Sequence, residues 1–515
     1  MPTSSFFNQN QPHLKKHSYR LNHHVKYYRY MKTSDVPSHH RSISSTAILQ
    51  STSTPSSESS RLPPLLSSIS SDTIATIQTL PEISDIISNI DTDATSSKNC
   101  QQTIEGLKRA SQVFQQYNPQ GEEYKAVLLL QVHTLIQSES YVEALDLLES
   151  ADALECNWAD GQRFDIDSER VRIMYYLGKF DDADVIASDL CDLALQSDSL
   201  QDYDYGLRQG VAMNSLALCR LAAVGLEDVD ILAYHSTSMD GANSNTNDLD
   251  WRLQMENAEG VKDFLKMASK MLEKGYNQGQ DGKLGLACAA SYSNQGVAEL
   301  IAILIKSQLQ SMPVPIDPAM KTWREALNVL DDLEREQSTT KLSRDQMIFL
   351  KTARARVYCN MTWAILFNPS YANSSHAHVN LKEDSLKLSS EYAGLALKAT
   401  DETGTGNGNL GRVLGLVASC YGKAGSAVTS EGLLQSAMDA SDLNMTGKNN
   451  PLSAIDARSA LVYYSKLCDN WEKRGGDAEK YRALALEMDG GIVDAWKGKS
   501  SIYSGTMLFS TGDLF

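Results

Sequence analysis

From about Thr103 to Asp489 the apolar residues recur at steps of three and four, the spacing that puts one buried stripe on a helix. The stripes come in pairs. Polar stretches rich in Gly, Asn, Ser and Pro separate them, at Ser236–Asp250, Gln278–Gly282, Met312–Pro318, Asn368–Asn380, Thr403–Asn409 and Thr446–Pro451. No run alternates apolar with polar residues under β-branched enrichment, so no sheet is expected. The pattern predicts an all-α chain of paired antiparallel helices over residues 101–489.

The clearest unit spans Asp167 to Ala194. Its first helix holds Val171, Ile173, Met174, Tyr175, Tyr176 and Leu177 and should end at Gly178, a residue free to take the left-handed conformation that closes a helix. Phe180, Ala183, Ala187 and Leu190 then follow; the small residues admit a second helix close to the first while the aromatic fills the gap. The preceding unit repeats half of this with Tyr141, Ala144, Leu148 and Ala151, and Tyr141 lies 39 residues before Phe180. Tyr-Leu-Gly-Lys-Phe-Asp-Asp-Ala (176–183) resembles the turn of a tetratricopeptide repeat, whose period is about 34 residues. Weaker matches follow. They are Asn214–Ala223 closed by Gly225, Leu286–Ile305 with Gly296 open to helix contact, and Trp323-Ala326-Leu330-Leu333. Further on come Leu414-Ala418-Tyr421-Gly425 with Leu434 and Ala437, and a last pair, Ala460–Lys473 and Ala478–Met488, hinged at Gly475-Gly476. Phe180, Ala183, Ala187, Tyr421 and Ala437 should be buried. The resemblance implies an α-solenoid of degenerate repeats that binds proteins; the bland alternative is a general all-α domain with ordinary core packing.

Residues 1–61 differ in kind. They carry eight Lys and Arg against Asp35 and Glu58, six of the ten histidines, and a Ser/Thr tract from Ser42 to Ser60. Such a stretch has too little apolar surface to offset its ordering entropy and should be extended and disordered. Basic, Ser-rich and nearly acid-free is also the composition of a mitochondrial or plastid transit peptide, with a sequence at Arg41-Ser42-Ile43-Ser44 similar to a mitochondrial matrix-protease site. That reading makes the chain mitochondrial. A solvated basic tail on a cytoplasmic protein is the alternative. Residues 62–100 form a bridging segment, with Leu65, Leu66, Ile69, Ile74, Ile77 and Leu80 permitting short helices that dock on the first repeat, and residues 490–515 form a C-terminal tail.

A net charge of −17 speaks against nucleic acid, which needs a surplus of Lys and Arg, and favours a basic or amphipathic protein segment as partner. The eight cysteines contain no CxxC pair and mostly sit in apolar helical runs, as core thiols in a reducing compartment. No stretch is long and apolar enough for a membrane helix.

Little else suggests chemistry. Gly406–Gly411 matches GxGxxG but follows a helical stretch, Tyr392–Thr400, where a dinucleotide site needs a strand. Asp331-Asp332 and Asp181-Asp182 each lack the last carboxylate of a DDxxD magnesium motif, and His376 and His378 lie in a polar loop without nearby Cys. No cofactor or metal is expected. Asn294 and Asn360 stand in Tyr-Ser-Asn and Tyr-Cys-Asn contexts that resemble the Asn-bearing helices of carboxylate-clamping repeats, and Arg354 is a candidate cation beside them. These three residues are the candidate partner-binding set of a non-enzymatic scaffold, possible work in an organellar assembly included. The runner-up is an all-helical enzyme with a small-molecule pocket.

Overall fold

The structure is a computed structural model that describes the helices between residues 97 and 487, together with Thr73 and Ile77. Residues 1–72, 74–76, 78–96, 197–205, 224–246, 368–378, 402–408, 441–450 and 488–515, and some shorter linkers, lie outside the described residues. The transit-peptide reading, Gly225 and the His376/His378 loop therefore fall outside them.

Fifteen helices occur among the described residues, and no strand. In chain order they are α1 (Ser97–Tyr117), α2 (Glu122–Gln137), α3 (Tyr141–Ala153), α4 (Asp160–Tyr176), α5 (Phe180–Gln196), α6 (Leu207–Ala223), α7 (Asn247–Gly279) and α8 (Gly282–Gln310). Then come α9 (Asp317–Arg335), α10 (Arg344–Phe367), α11 (Val379–Asp401), α12 (Asn409–Lys423), α13 (Ala427–Ala440), α14 (Pro451–Asp469) and α15 (Gly475–Glu487). Proline opens α14 and sits in the first turn of α9, where its missing N–H costs nothing.

Every helix from α1 to α13 packs on its successor apart from linkers, and the even-numbered ones also touch each other: α4 meets α6, α6 meets α8, α8 meets α10, α10 meets α12 and α12 meets α14. The fold is an all-α solenoid of antiparallel helix pairs in which the first helix of each pair forms a continuous row. Row helices have neighbours on several sides, which explains their composition: from Leu284 to Ala298, every residue of α8 is buried. The outer helix α9 instead buries one stripe, Trp323-Ala326-Leu330-Leu333, all fully buried.

The two specific turns form as expected. Gly178 (φ 73°) and Gly425 (φ 85°) are left-handed. The N–H of Lys179 bonds Met174 O at 2.9 Å and that of Gly178 bonds Tyr175 O at 3.0 Å; Ser426 to Tyr421 (2.9 Å) and Gly425 to Gly422 (3.1 Å) repeat the arrangement. Phe180 then packs edge-on against Tyr175 with ring centres 5.4 Å apart. Phe180, Ala183, Ala187 and Ala437 are buried. Tyr421 is only half-buried, because it stands in the last turn of α12 beside the exposed residues of the loop. The last pair also differs from expectation: Gly475 and Gly476 form the first turn of α15, and the bend lies ahead of them, where Arg474 N–H bonds Trp471 O.

Candidate partner-binding surface

Helices in the row carry polar side chains where a core would be apolar. On α4, Gln162, Asp165, Ser168, Glu169 and Arg172 are all buried. Arg172 Nε lies 3.1 Å from Glu169 Oε2, and Arg208 of α6 reaches Asp165 at 3.7 Å while its guanidinium covers the Phe164 ring. On α2 the buried Lys125 pairs with Glu122 at 3.1 Å and lies over the Trp158 ring. Paired charges of opposite sign reduce the desolvation penalty that each would meet alone.

Asn294 is fully buried on α8 and donates through Nδ2 to Asn214 Oδ1 of α6 at 3.1 Å. Around it, polar groups stitch α8 to the outer row. Ser269 Oγ of α7 donates to Gln295 Oε1 (3.0 Å), Gln295 Nε2 donates to Glu299 Oε1 (2.9 Å), and Thr322 Oγ1 of α9 donates to Glu299 Oε2 (2.8 Å). Buried polar groups that find such partners cost little, and they hold helices in one register.

Asn360 is buried on α10. It lines a narrow crevice with Val297 and Leu300 of α8, Trp323 of α9, Trp363 of α10 and Arg412 of α12, and the crevice leaves no room for a small molecule. Arg412, itself buried, is a cation facing the same space from the next row helix, and sequence reasoning missed it. Its residue type was visible; that α12 stacks on α10 was not.

Arg354 faces elsewhere. Six residues before Asn360, it points about 120° away around α10. Its Nη1 donates to Glu334 Oε2 (2.6 Å) and its Nη2 to Asp331 Oδ1 (2.8 Å), with Lys351 Nζ 3.0 Å from Glu334 Oε1. Burial alone would raise the Glu334 carboxyl, but the hydrogen bonds from Arg354 and Lys351 hold it below the usual glutamate range. The structure thus places Asn294, Asn360 and Arg354 on two helices and three faces and does not bring them together. Asp331, weighed as part of a magnesium motif, and its neighbour Glu334 are ion-pair partners of Arg354 across the α9–α10 contact. Among the described residues, no cluster of three or more His, Cys, Asp or Glu is placed to hold a metal, and no helix is long and apolar enough to cross a membrane. The helix α11 ends at Asp401, ahead of the glycine-rich 406–411 stretch, and among the described residues no strand precedes it to support a phosphate cradle.

No family model matches the chain, and neither does any curated protein. Among solved structures, it is similar to a crystal structure of the APC/C hetero-tetramer Cut9–Hcn1, at 12% identity and a TM-score of 0.22, over 83% of this chain and 94% of that one. It is likewise similar to a crystal structure of yeast Tom70, at 11% identity and a TM-score of 0.21, over 83% and 94%. The fold assignment rests on the packing of this chain's own helices.

At the far end of the row, Glu431 of α13 accepts from Tyr464 Oη of α14 (2.5 Å) and from Arg474 Nη1 (2.6 Å), while Arg474 Nε donates to Asp477 Oδ2 (2.8 Å). Tyr464 and Tyr481 of α15 stack with centres 4.1 Å apart. Burial would raise the Glu431 carboxyl, yet the bonds from Tyr464 and Arg474 hold it below its ordinary value. A lowered carboxyl contributes stability above its unfolded value and loses it as pH falls through the folded one. Acidification below the ordinary glutamate range should therefore loosen α15 first, seen as a smaller protection factor there at pH 3 than at pH 7, each taken relative to the intrinsic exchange rate at that pH. Glu431→Gln should reduce that pH dependence; an α15 equally protected at both pH values would refute the latch. Burial pushes the Cys191 thiol up to about 12, and those of Cys219, Cys288, Cys420 and Cys468 upward as well, which keeps them protonated.

Proposed function

We propose that the chain is a non-enzymatic protein-binding scaffold. The observation that carries this reading is the continuous row of first helices from α4 to α14, held in register by hydrogen bonds and ion pairs between side chains of different helices. The row is largely buried, so what it presents to a long segment is the fixed series of partly exposed side chains along its rim, Arg163 and Arg354 among them, and binding then comes from scattered contacts. The net charge of −17 makes the segment basic or amphipathic. Within this reading Asn294 and Asn360 act from inside the row by fixing helix register. Arg354, whose side chain is still 12% exposed, is the one of the three that reaches a partner.

The N-terminal 61 residues supply the address. The basic, Ser-rich composition supports import into the mitochondrion and removal near Arg41–Ser45, which would put the scaffold to work in an organellar complex or its assembly. N-terminal sequencing of the mature protein reads this directly: a start near Ser44 supports it, and an intact Met1 or Pro2 overturns it.

The binding role is tested by affinity purification from native tissue at graded salt. A stable partner should be recovered at low ionic strength and lost stepwise as salt rises, because the attraction is between an acidic body and a basic segment. A partner-free monomer that turns over a small molecule would overturn the proposal.

A further inference from the structure

Charge is divided between the two layers of the array. The outer helices α5, α7, α9, α11 and α13 carry 22 Asp and Glu against 11 Lys and Arg. The row helices α6, α8, α10, α12 and α14 carry 4 against 12. On those row helices, the described side chains with some exposure include nine Lys and Arg but two carboxylates, Glu299 and Asp469. The acidic excess of these helices lies in the outer layer, and the row has the opposite sign.

Part of the row's positive surplus ties the layers together. Arg220 pairs with Asp184 of α5, while Lys351 and Arg354 pair with Glu334 and Asp331 of α9. Arg356 faces another way. Two residues past Arg354, it stands about 200° around α10, away from the α9 carboxylates. It is partly exposed there, with Thr352 and Phe349 one and two turns before it, both partly exposed as well. Lys306 is exposed on α8. Ile303 of α8, Leu414 of α12 and Val462 of α14 add partly exposed apolar side chains to the same row.

We infer that the segment docking on the row is an amphipathic one, with acidic side chains among its apolar residues. The inference rests on the scaffold reading. Of the basic and amphipathic segments which that reading admits, it selects the amphipathic and gives its charges a sign. Distance decides between the net charge and the local one. Outer carboxylates lie behind the row by about the 8–10 Å between packed helices, roughly a Debye length at physiological salt. A docked carboxylate meets Arg356 or Lys306 directly, so the row cations dominate its energy. A polynucleotide would use the cations but leave the apolar side chains without partners.

Three peptides of about 20 residues test this on the full-length chain, each with Leu at helical spacing and its charged positions filled by Glu, Lys or Gln. At low salt the Glu peptide should bind roughly tenfold more tightly than the Gln peptide, a preference that fades as salt rises. Its amide-exchange footprint should fall on α6 to α14. Arg356→Glu and Lys306→Glu should each weaken it by at least about threefold. Lys321→Glu, on the outer helix α9 with its side chain 78% exposed, should leave it unchanged. Arg356→Gln should give a smaller loss, and replaces the glutamate variant if that one fails to fold. A row footprint that is tighter for the Lys peptide, or for a thymidine oligomer of about 20 nucleotides, would overturn the acidic partner but not the scaffold. No footprint on α6 to α14 from any probe would bring down both.

Discussion

Trp323→Ala should destabilise the middle of the array by about 3–5 kcal/mol, the cost typical of emptying a buried indole site. The ring is fully buried on α9, and its Nε1 donates to Ser293 O of α8 at 3.0 Å. Truncation therefore opens a cavity and removes a helix-to-helix hydrogen bond together. Gly296 makes the fit possible: a Cβ there would lie 2.4 Å from Trp323 Nε1 and 2.6 Å from Cδ1. The obstacle is a rigid ring packed on all sides, so Gly296→Ala should itself cost about 1–3 kcal/mol. Both effects should appear as a lower urea midpoint and as faster amide exchange in α8 to α10, the local readout guarding against loss of cooperativity in a long array. A Trp323→Ala midpoint within error of the wild type would show that α9 does not seat on α8 in this way.

Glu169→Ala should be nearly as damaging, at about 3–5 kcal/mol, because it leaves Arg172 charged and buried without its carboxylate. The pair is 3.1 Å apart, with the Glu169 side chain 2% exposed and that of Arg172 9% exposed. Replacing both at once, Glu169→Leu with Arg172→Met, removes the charge as well as its partner. The double variant should be more stable than Glu169→Ala alone. If the two cost the same, packing volume and not charge sets the value of this site.

The parts of the fold that were legible in the sequence are the ones decided locally. Gly178 and Gly425 are required by the left-handed φ of their own turns, and the aromatic–Ala spacing after Gly178 reports a contact between adjacent helices. The stripe Trp323-Ala326-Leu330-Leu333 was legible for the same reason: its period lies within one helix. What the row does was not legible. Asn214 and Asn294 are 80 residues apart, and only the stacking of α6 on α8 makes them partners. Arg412 joins Asn360 by the same route. Arg354 was placed beside Asn360 by its number, but about six residues turn a helix through most of two turns and face the side chain elsewhere. At the last pair, Gly475-Gly476 reads as a hinge by composition, yet Arg474 ties to Asp477 and lets α15 begin at Gly475.

The central claim is that the row of first helices is the binding face. The most direct measurement is amide exchange on the native complex against the free chain, resolved helix by helix. The account predicts that protection gained on binding falls on the row helices from α4 to α14. Protection confined to the outer helices α5, α7, α9, α11 and α13 would contradict it.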